Sequence, residues 1–248
     1  MIKSSALLSA TLVTALLASS VYAGGPDVMA MPAAPAHSLF TTVEGGYSWN
    51  NYGNTIVAIH PTTPVQHIVT PSNNGGTGRV AIGAIHYSTY CPKLSYTAEA
   101  GWGYYGSTSY TASAAGINAK NYMYGFDALA GVDYEFTSKI DGFFKLGALF
   151  ENTKMNRNTD LGTYTGGIVT SGTENVSSTT SSILPELKVG GVYNITDAWG
   201  LTAAYMFAYG NGNVSSNIRK TATTEDKYVT NAPASINSLL FGLQYKFA

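Results

Sequence analysis

Residues 239–248 read LLFGLQYKFA. Leu239, Phe241, Leu243, Tyr245 and Phe247 take every second position, and Leu240, Gly242, Gln244 and Lys246 fill those between. Successive side chains of a β-strand point to opposite faces, so this segment has an apolar face ending in aromatics and a mixed face ending in a lysine. Two such faces meet different solvents, and the rest of the chain decides which.

The same alternation recurs upstream. Residues 39–49 (LFTTVEGGYSW) set Leu39, Val43, Tyr47 and Trp49 against Thr42, Glu44, Gly46 and Ser48. Residues 94–105 set Leu94, Tyr96, Ala98, Ala100, Trp102 and Tyr104 against Ser95, Thr97, Glu99, Gly101 and Gly103. Residues 122–134 oppose Tyr122, Tyr124, Phe126, Val132 and Tyr134 to Gly125, Asp127, Gly131 and Asp133. Residues 140–151, 183–194 and 199–209 repeat the pattern, with Lys145, Glu151, Glu186 and Lys188 on the mixed face and Tyr193, Trp199 and Tyr209 on the apolar one. Only 79–88 is ambiguous, because Ile85 and Tyr87 share a face with Arg79. About eight strands result, each near the ten or so residues that cross a bilayer as a tilted strand.

The gaps between these segments alternate in length: 50–78, 106–121, 152–182 and 210–235 are long, and 89–93, 135–139 and 195–198 are short. A soluble sandwich has no reason for that rhythm, whereas a membrane barrel has tight turns on one side and extended loops on the other. The short gaps carry the Pro, Ser and Asp chemistry of tight reversals. The expected fold is all-β: an eight-stranded antiparallel up-and-down transmembrane β-barrel with short periplasmic turns and four long extracellular loops. The apolar faces then look at lipid, and Gly, Ser, Thr and single charges look into a lumen too narrow for eight rows of aromatics. Trp49, Tyr104, Tyr122 and Tyr209 fall at the long-loop ends, and Tyr134, Tyr193, Trp199 and Phe247 at the short-turn ends, as two girdles at the bilayer interfaces.

Composition agrees. Charged residues make up 11% of the 248, against roughly 25% in soluble domains, yet mean hydropathy is close to zero, far below that of a helical membrane protein. A formal net charge of -1 gives no basic surface for nucleic acid. Lys3, the apolar run Ala6–Leu17 and the small-x-small site Val21-Tyr22-Ala23 read as a signal peptide over 1–23. Residues 24–38, rich in Pro, Ala and Gly, read as a flexible periplasmic lead-in, and 39–248 as the barrel. The single cysteine, Cys91, excludes an intramolecular disulfide.

On this architecture and the C-terminal pattern, residues 39–248 resemble the small eight-stranded outer-membrane barrels: the OmpA-like transmembrane domain, the OmpX type and the Opa adhesins. The resemblance implies that Phe241, Leu243, Tyr245 and Phe247 act as the C-terminal signal read by the barrel assembly machinery, offset by one residue because Ala248 follows the aromatic. It implies integral localisation in the outer membrane of a Gram-negative bacterium, beside lipid and lipopolysaccharide, with loops at the cell surface.

Three function classes follow: a non-enzymatic surface protein that is structural or adhesive through its loops and open to a host-surface ligand, a narrow porin-like channel, or a barrel enzyme. The first loop carries β-branched runs either side of Pro61 and Pro64, which fit a strand extension or an apolar binding ridge. The enzyme reading needs a nucleophile, a base and an orienting acid at the outer rim. His60 and His67 with Asp160 or Glu174 are the only candidates, and loop histidines without fixed spacing are far more often solvated, so no catalytic residue, metal or cofactor is expected. His86 falls near the short-turn end of its strand, away from that rim.

The lumen separates surface protein from channel. Glu44, Glu99, Asp127 and Glu186 are inward acids, and Arg79, Lys145 and Lys188 inward bases. Three arrangements are open: a salt-bridge network that plugs the section, hydrated charges lining a channel, or a pair or two with the others turned toward the mouths. In a dry plug, Lys145→Met is expected to cost about 3–5 kcal/mol.

Overall fold

In the computed structural model, the structure describes residues 37–51, 55–59, 65–69, 74–112, 117–161, 172–210, 213–221, 224–231 and 235–247. Among the described residues there are twelve strands: β1 His37–Asn51, β2 Thr55–Ile59, β3 Val65–Val69, β4 Asn74–Tyr87, β5 Leu94–Ala112, β6 Ile117–Thr137, β7 Ile140–Leu161, β8 Gly172–Asn194, β9 Trp199–Ala208, β10 Asn213–Thr221, β11 Thr224–Asn231 and β12 Ser235–Phe247. Eight of them close a barrel in the order β1-β12-β9-β8-β7-β6-β5-β4, every pair antiparallel. Sequence neighbours are spatial neighbours throughout, and β1 with β12 makes the closure, with Leu39 opposite Phe247 and Trp49 opposite Asn237. Closure leaves the barrel no unpaired edge, which a hydrocarbon environment would penalise.

The wall follows the alternation. Val43 is 60% exposed and Phe241 57%, and Trp102, Phe126, Phe150 and Leu243 stand out with them, while Thr42, Glu44, Thr97 and Glu99 are buried inside. The ambiguous strand β4 points Arg79, Ala81 and Ile85 inward and Val80 and Ile82 outward. An apolar belt on this scale is built for lipid rather than water.

Three differences from the sequence reading matter. First, much of what reads as loop is strand. Residues 106–121 belong to β5 and β6 except for 113–116, and 152–161 and 172–182 extend β7 and β8. Ser, Thr and Asn there pair backbone to backbone regardless of polarity, as in Asn156 with Ser177. Second, 55–59 and 65–69 neither lengthen β1 nor β4. They form a hairpin inside a separate sheet of order β10-β11-β2-β3, where Tyr228 pairs with Val57. The side chains of a possible apolar ridge there lie outside the described residues. Third, three aromatics not assigned from the sequence stand in the lumen: Phe40 is 1% exposed, Tyr105 0% and Phe143 7%. Inward glycines make the room, since a Cβ on Gly83 of the neighbouring β4 would meet the Phe40 ring and one on Gly103, two residues before it on β5, the Tyr105 ring.

Tyr105 continues the inward row of Thr97, Glu99, Gly101 and Gly103, and a bulge follows it. Register slips between Tyr104 and Ser107, and Gly106 takes φ +98°, a conformation that a residue with a Cβ rarely adopts. Ser48 Oγ and Asn50 Nδ2 donate to the Tyr105 carbonyl at 2.8 and 3.1 Å, which holds the bulged backbone. On the opposite side, short turns close β4 to β5, β6 to β7 and β8 to β9, with Leu94 N donating to Cys91 O at 2.9 Å and Ile195 N to Trp199 O at 2.8 Å. Cys91 is exposed in the first of these turns.

Candidate functional site

The site lies inside the barrel and is centred on Arg79 of β4. Its register partner on β1 is Glu44, so the two inward side chains are neighbours from the outset. Arg79 Nη1 donates to Glu44 Oε2 at 3.1 Å and Nη2 to Glu99 Oε1 at 2.9 Å. Nε donates to Asp127 Oδ2 at 2.7 Å and Nη2 to Asp127 Oδ1, so the guanidinium grips that carboxylate with two donors. Gly101, between Glu99 and Gly103 on β5, leaves the space: a Cβ there would lie 2.7–2.9 Å from guanidinium atoms.

Lys145 of β7 and Lys188 of β8 are opposed across the ladder. Like charges in that relation repel, and the acids of the far wall resolve the conflict. Lys145 Nζ donates to Glu99 Oε2 at 2.8 Å, and Lys188 Nζ to Glu44 Oε2 at 2.8 Å and Glu99 Oε1 at 3.4 Å. The Lys188 contacts cross the lumen, because β8 stands three strands from β1 on one side and three from β5 on the other. Six side chains from six strands thus bridge the section, and none of these side chains is more than 6% exposed.

Glu186 is not brought in. It is 3% exposed, two residues from Lys188 toward the long-connection end, and neither carboxylate oxygen has a hydrogen-bond partner among the described residues. Glu151 is also buried and, among the described residues, accepts from Thr153 Oγ1 at 2.8 Å.

The charged layer is packed from both sides. Toward the short turns, Lys145 Nζ stands 4.6 Å from the centroid of Phe143 and 5.2 Å from that of Phe40, and Lys188 Nζ 5.9 Å from Phe143. These rings form a floor whose π faces accept the ammonium groups. Toward the long connections, Tyr105, Met123, Leu149, Leu184, Met206 and Ile236 form an apolar ceiling. The Tyr105 hydroxyl reaches down to donate to Asp127 Oδ2 at 2.9 Å. Below the floor, the short-turn mouth opens as a cavity of about 240 Å³ whose lining includes Tyr87, Lys93, Asp133, Asp141 and Lys246. Asn194 Nδ2 donates to Asp141 Oδ2 at 2.8 Å there, and Lys246 Nζ lies 3.7 Å from the same oxygen.

Sequence reasoning missed Phe40, Phe143, Met123, Leu149 and Tyr105 as lumen residues. All five stand at inward parity in their strands, so strict counting finds them. Of the aromatic positions assigned to the two interfaces, Trp49, Tyr209, Tyr134, Tyr193, Trp199 and Phe247 are exposed, and Tyr104 and Tyr122 are half-buried. Trp199 packs on Tyr245 and Tyr245 on Phe247, with ring centroids 4.8 and 5.0 Å apart. Of the enzyme candidates, His60 and the side chains of His67, Asp160 and Glu174 lie outside the described residues.

The fold is that of a small eight-stranded membrane barrel. No family model matches the sequence. An uncharacterized protein of Coxiella burnetii (strain RSA 493 / Nine Mile phase I) is 26% identical over 205 residues, which cover 75% of this chain and 73% of that one. Among solved structures, Ail, the attachment invasion locus protein of Yersinia pestis, is 11% identical over 84% of this chain and 98% of its own, with a TM-score of 0.39. Neisserial surface protein A is 18% identical over 84% and 97%, with a TM-score of 0.38. OprG of Pseudomonas aeruginosa is 9% identical over 84% and 95%, with a TM-score of 0.47. None of these likenesses bears on what this chain binds.

Proposed function

We propose that the protein is an integral outer-membrane barrel of a Gram-negative bacterium that acts as a non-enzymatic surface protein, structural or adhesive, with a lumen closed to solutes. The observation that carries this reading is the six-strand ion-pair layer held between the Phe40–Phe143 floor and the apolar ceiling. Ion passage requires hydrated groups, and these have exchanged water for one another. With the lumen closed, the work falls on the outer wall, which meets lipid and lipopolysaccharide, and on the long-connection side, where the β5–β6 and β7–β8 hairpins and the β10-β11-β2-β3 sheet offer surface to a ligand. The C-terminal Phe241–Phe247 face serves the assembly machinery during biogenesis.

Purified protein in planar bilayers is expected to show little or no steady conductance. A steady, large conductance whose ion selectivity changes in Lys145→Met would overturn the closed lumen in favour of the narrow channel. The feature that favours the channel is the pair of buried acids Glu186 and Glu151 on the long-connection side of the layer, neither in an ion pair among the described residues. Topology has its own test: antibody on whole cells should reach an epitope inserted at Asn175 or Asn217 and not one beside Lys93 or Ser138, and reversed labelling would invert the orientation.

A further inference from the structure

At the short-turn rim, on the outer wall, His37 of β1 stands directly opposite His86 of β4. Both are exposed, their rings stack with centroids 4.7 Å apart at 28°, and their Nδ1 atoms lie 3.0 Å from one another. Two imidazole nitrogens at that distance share one hydrogen, which one ring must donate and the other accept. A metal ion held by both nitrogens sits off the line between them, with the lone pair of each ring turned onto it. With metal–nitrogen bonds of about 2.0–2.1 Å, two ligands on one ion are about 2.9 Å apart at a square-planar right angle and about 3.4 Å apart at a tetrahedral one. The observed separation falls within that interval, near its square-planar end. The ladder supplies the preorganisation: both Cα positions are set by β1–β4 pairing, so two ligands 49 residues apart need no loop to bring them together. The next residue in the row, Tyr96, pairs with His86, and its ring centroid is 6.5 Å away. Val132 follows across β6, so no lysine or arginine of that row repels a cation.

We propose that His37 and His86 form the protein half of a transition-metal site on the short-turn rim, selective for Cu²⁺ over Ni²⁺ and Zn²⁺, with water completing the coordination. Imidazole suits all three ions, and Cu²⁺ leads in affinity and prefers the right-angle geometry.

The test uses the full mature chain without a histidine tag, folded in detergent and titrated with CuCl₂, with binding read by calorimetry and electron paramagnetic resonance. One equivalent is expected to bind with the hyperfine signature of two imidazole nitrogens. Loss of a direct ligand must cost at least as much as loss of an outer-shell partner, so His37→Ala and His86→Ala are each expected to weaken binding by about tenfold or more. The double variant His60→Ala/His67→Ala is expected to bind as the parent does. Heat-modifiable migration shows that each variant is folded, and His86→Gln, which keeps a polar side chain at the rim, replaces His86→Ala if that variant fails the check. Absence of binding, parental affinity in the His37 or His86 variant, or loss of binding in the His60/His67 variant would overturn the proposal.

Discussion

Asp127 and Glu186 are carboxylates buried to nearly the same degree in one lumen, and they are kept in opposite ways. Asp127 accepts from two Arg79 nitrogens and from the Tyr105 hydroxyl, whereas Glu186 accepts from nothing among the described residues. Lys188 stands on the same strand face as Glu186, two residues away, but its ammonium is committed across the lumen to Glu44 and Glu99. Inward parity therefore places a charge in the barrel without assigning it a partner. Reach across the section decides that, and it divides the lumen into a layer where charge is answered and one where it is not.

Removing the centre should break this contrast most. Arg79→Met leaves Glu44, Glu99 and Asp127 with only the two lysines between them, and the expected loss is about 3–5 kcal/mol in denaturant unfolding from lipid vesicles. A loss under 1 kcal/mol would mean that water already shares these carboxylates. Lys145→Met is expected to cost less, about 1–3 kcal/mol in the same assay, because Glu99 keeps Arg79 and Lys188. The larger figure expected from sequence applies where the loss of Lys145 leaves a carboxylate unpaired, and the structure gives Glu99 three cations.

Smaller changes sharpen the comparison. Tyr105→Phe removes one donor from Asp127 and keeps the ring in the ceiling, so about 1 kcal/mol is expected from unfolding midpoints. Glu186→Gln should have the smallest effect of the set, within about 0.5 kcal/mol of the parent or more stable, since Glu186 has no hydrogen bond to lose among the described residues. Destabilisation by Glu186→Gln comparable to that of Lys145→Met would show that Glu186 has a partner and that the two layers are one.

The alternating stretches, from Leu39–Trp49 to Leu239–Phe247, were enough to read off the barrel, its strand number and its lipid-facing side. A period of two is a local property, and it sorts Val43 from Glu44 without knowledge of any neighbour. The seven inward charges were legible for the same reason. What local pattern could not supply was anything that depends on register or on distance across the lumen. The Lys188–Glu44 bond joins residues 144 apart, and the choice of Glu99 over Glu186 as a partner for Lys188 rests on where six strands stand relative to one another. The bulge after Tyr105 is held by Ser48 and Asn50 of β1, and the separate sheet of β10, β11, β2 and β3 came from pairing between segments that read as independent loops. His37 and His86 were unremarkable in sequence, one in a lead-in and one near a turn, and only the β1–β4 ladder set them face to face. Side-chain direction is set residue by residue, whereas register is set by the closure of the whole barrel, so the wall is written along the chain and the contents of the lumen are settled only when the last strand meets the first.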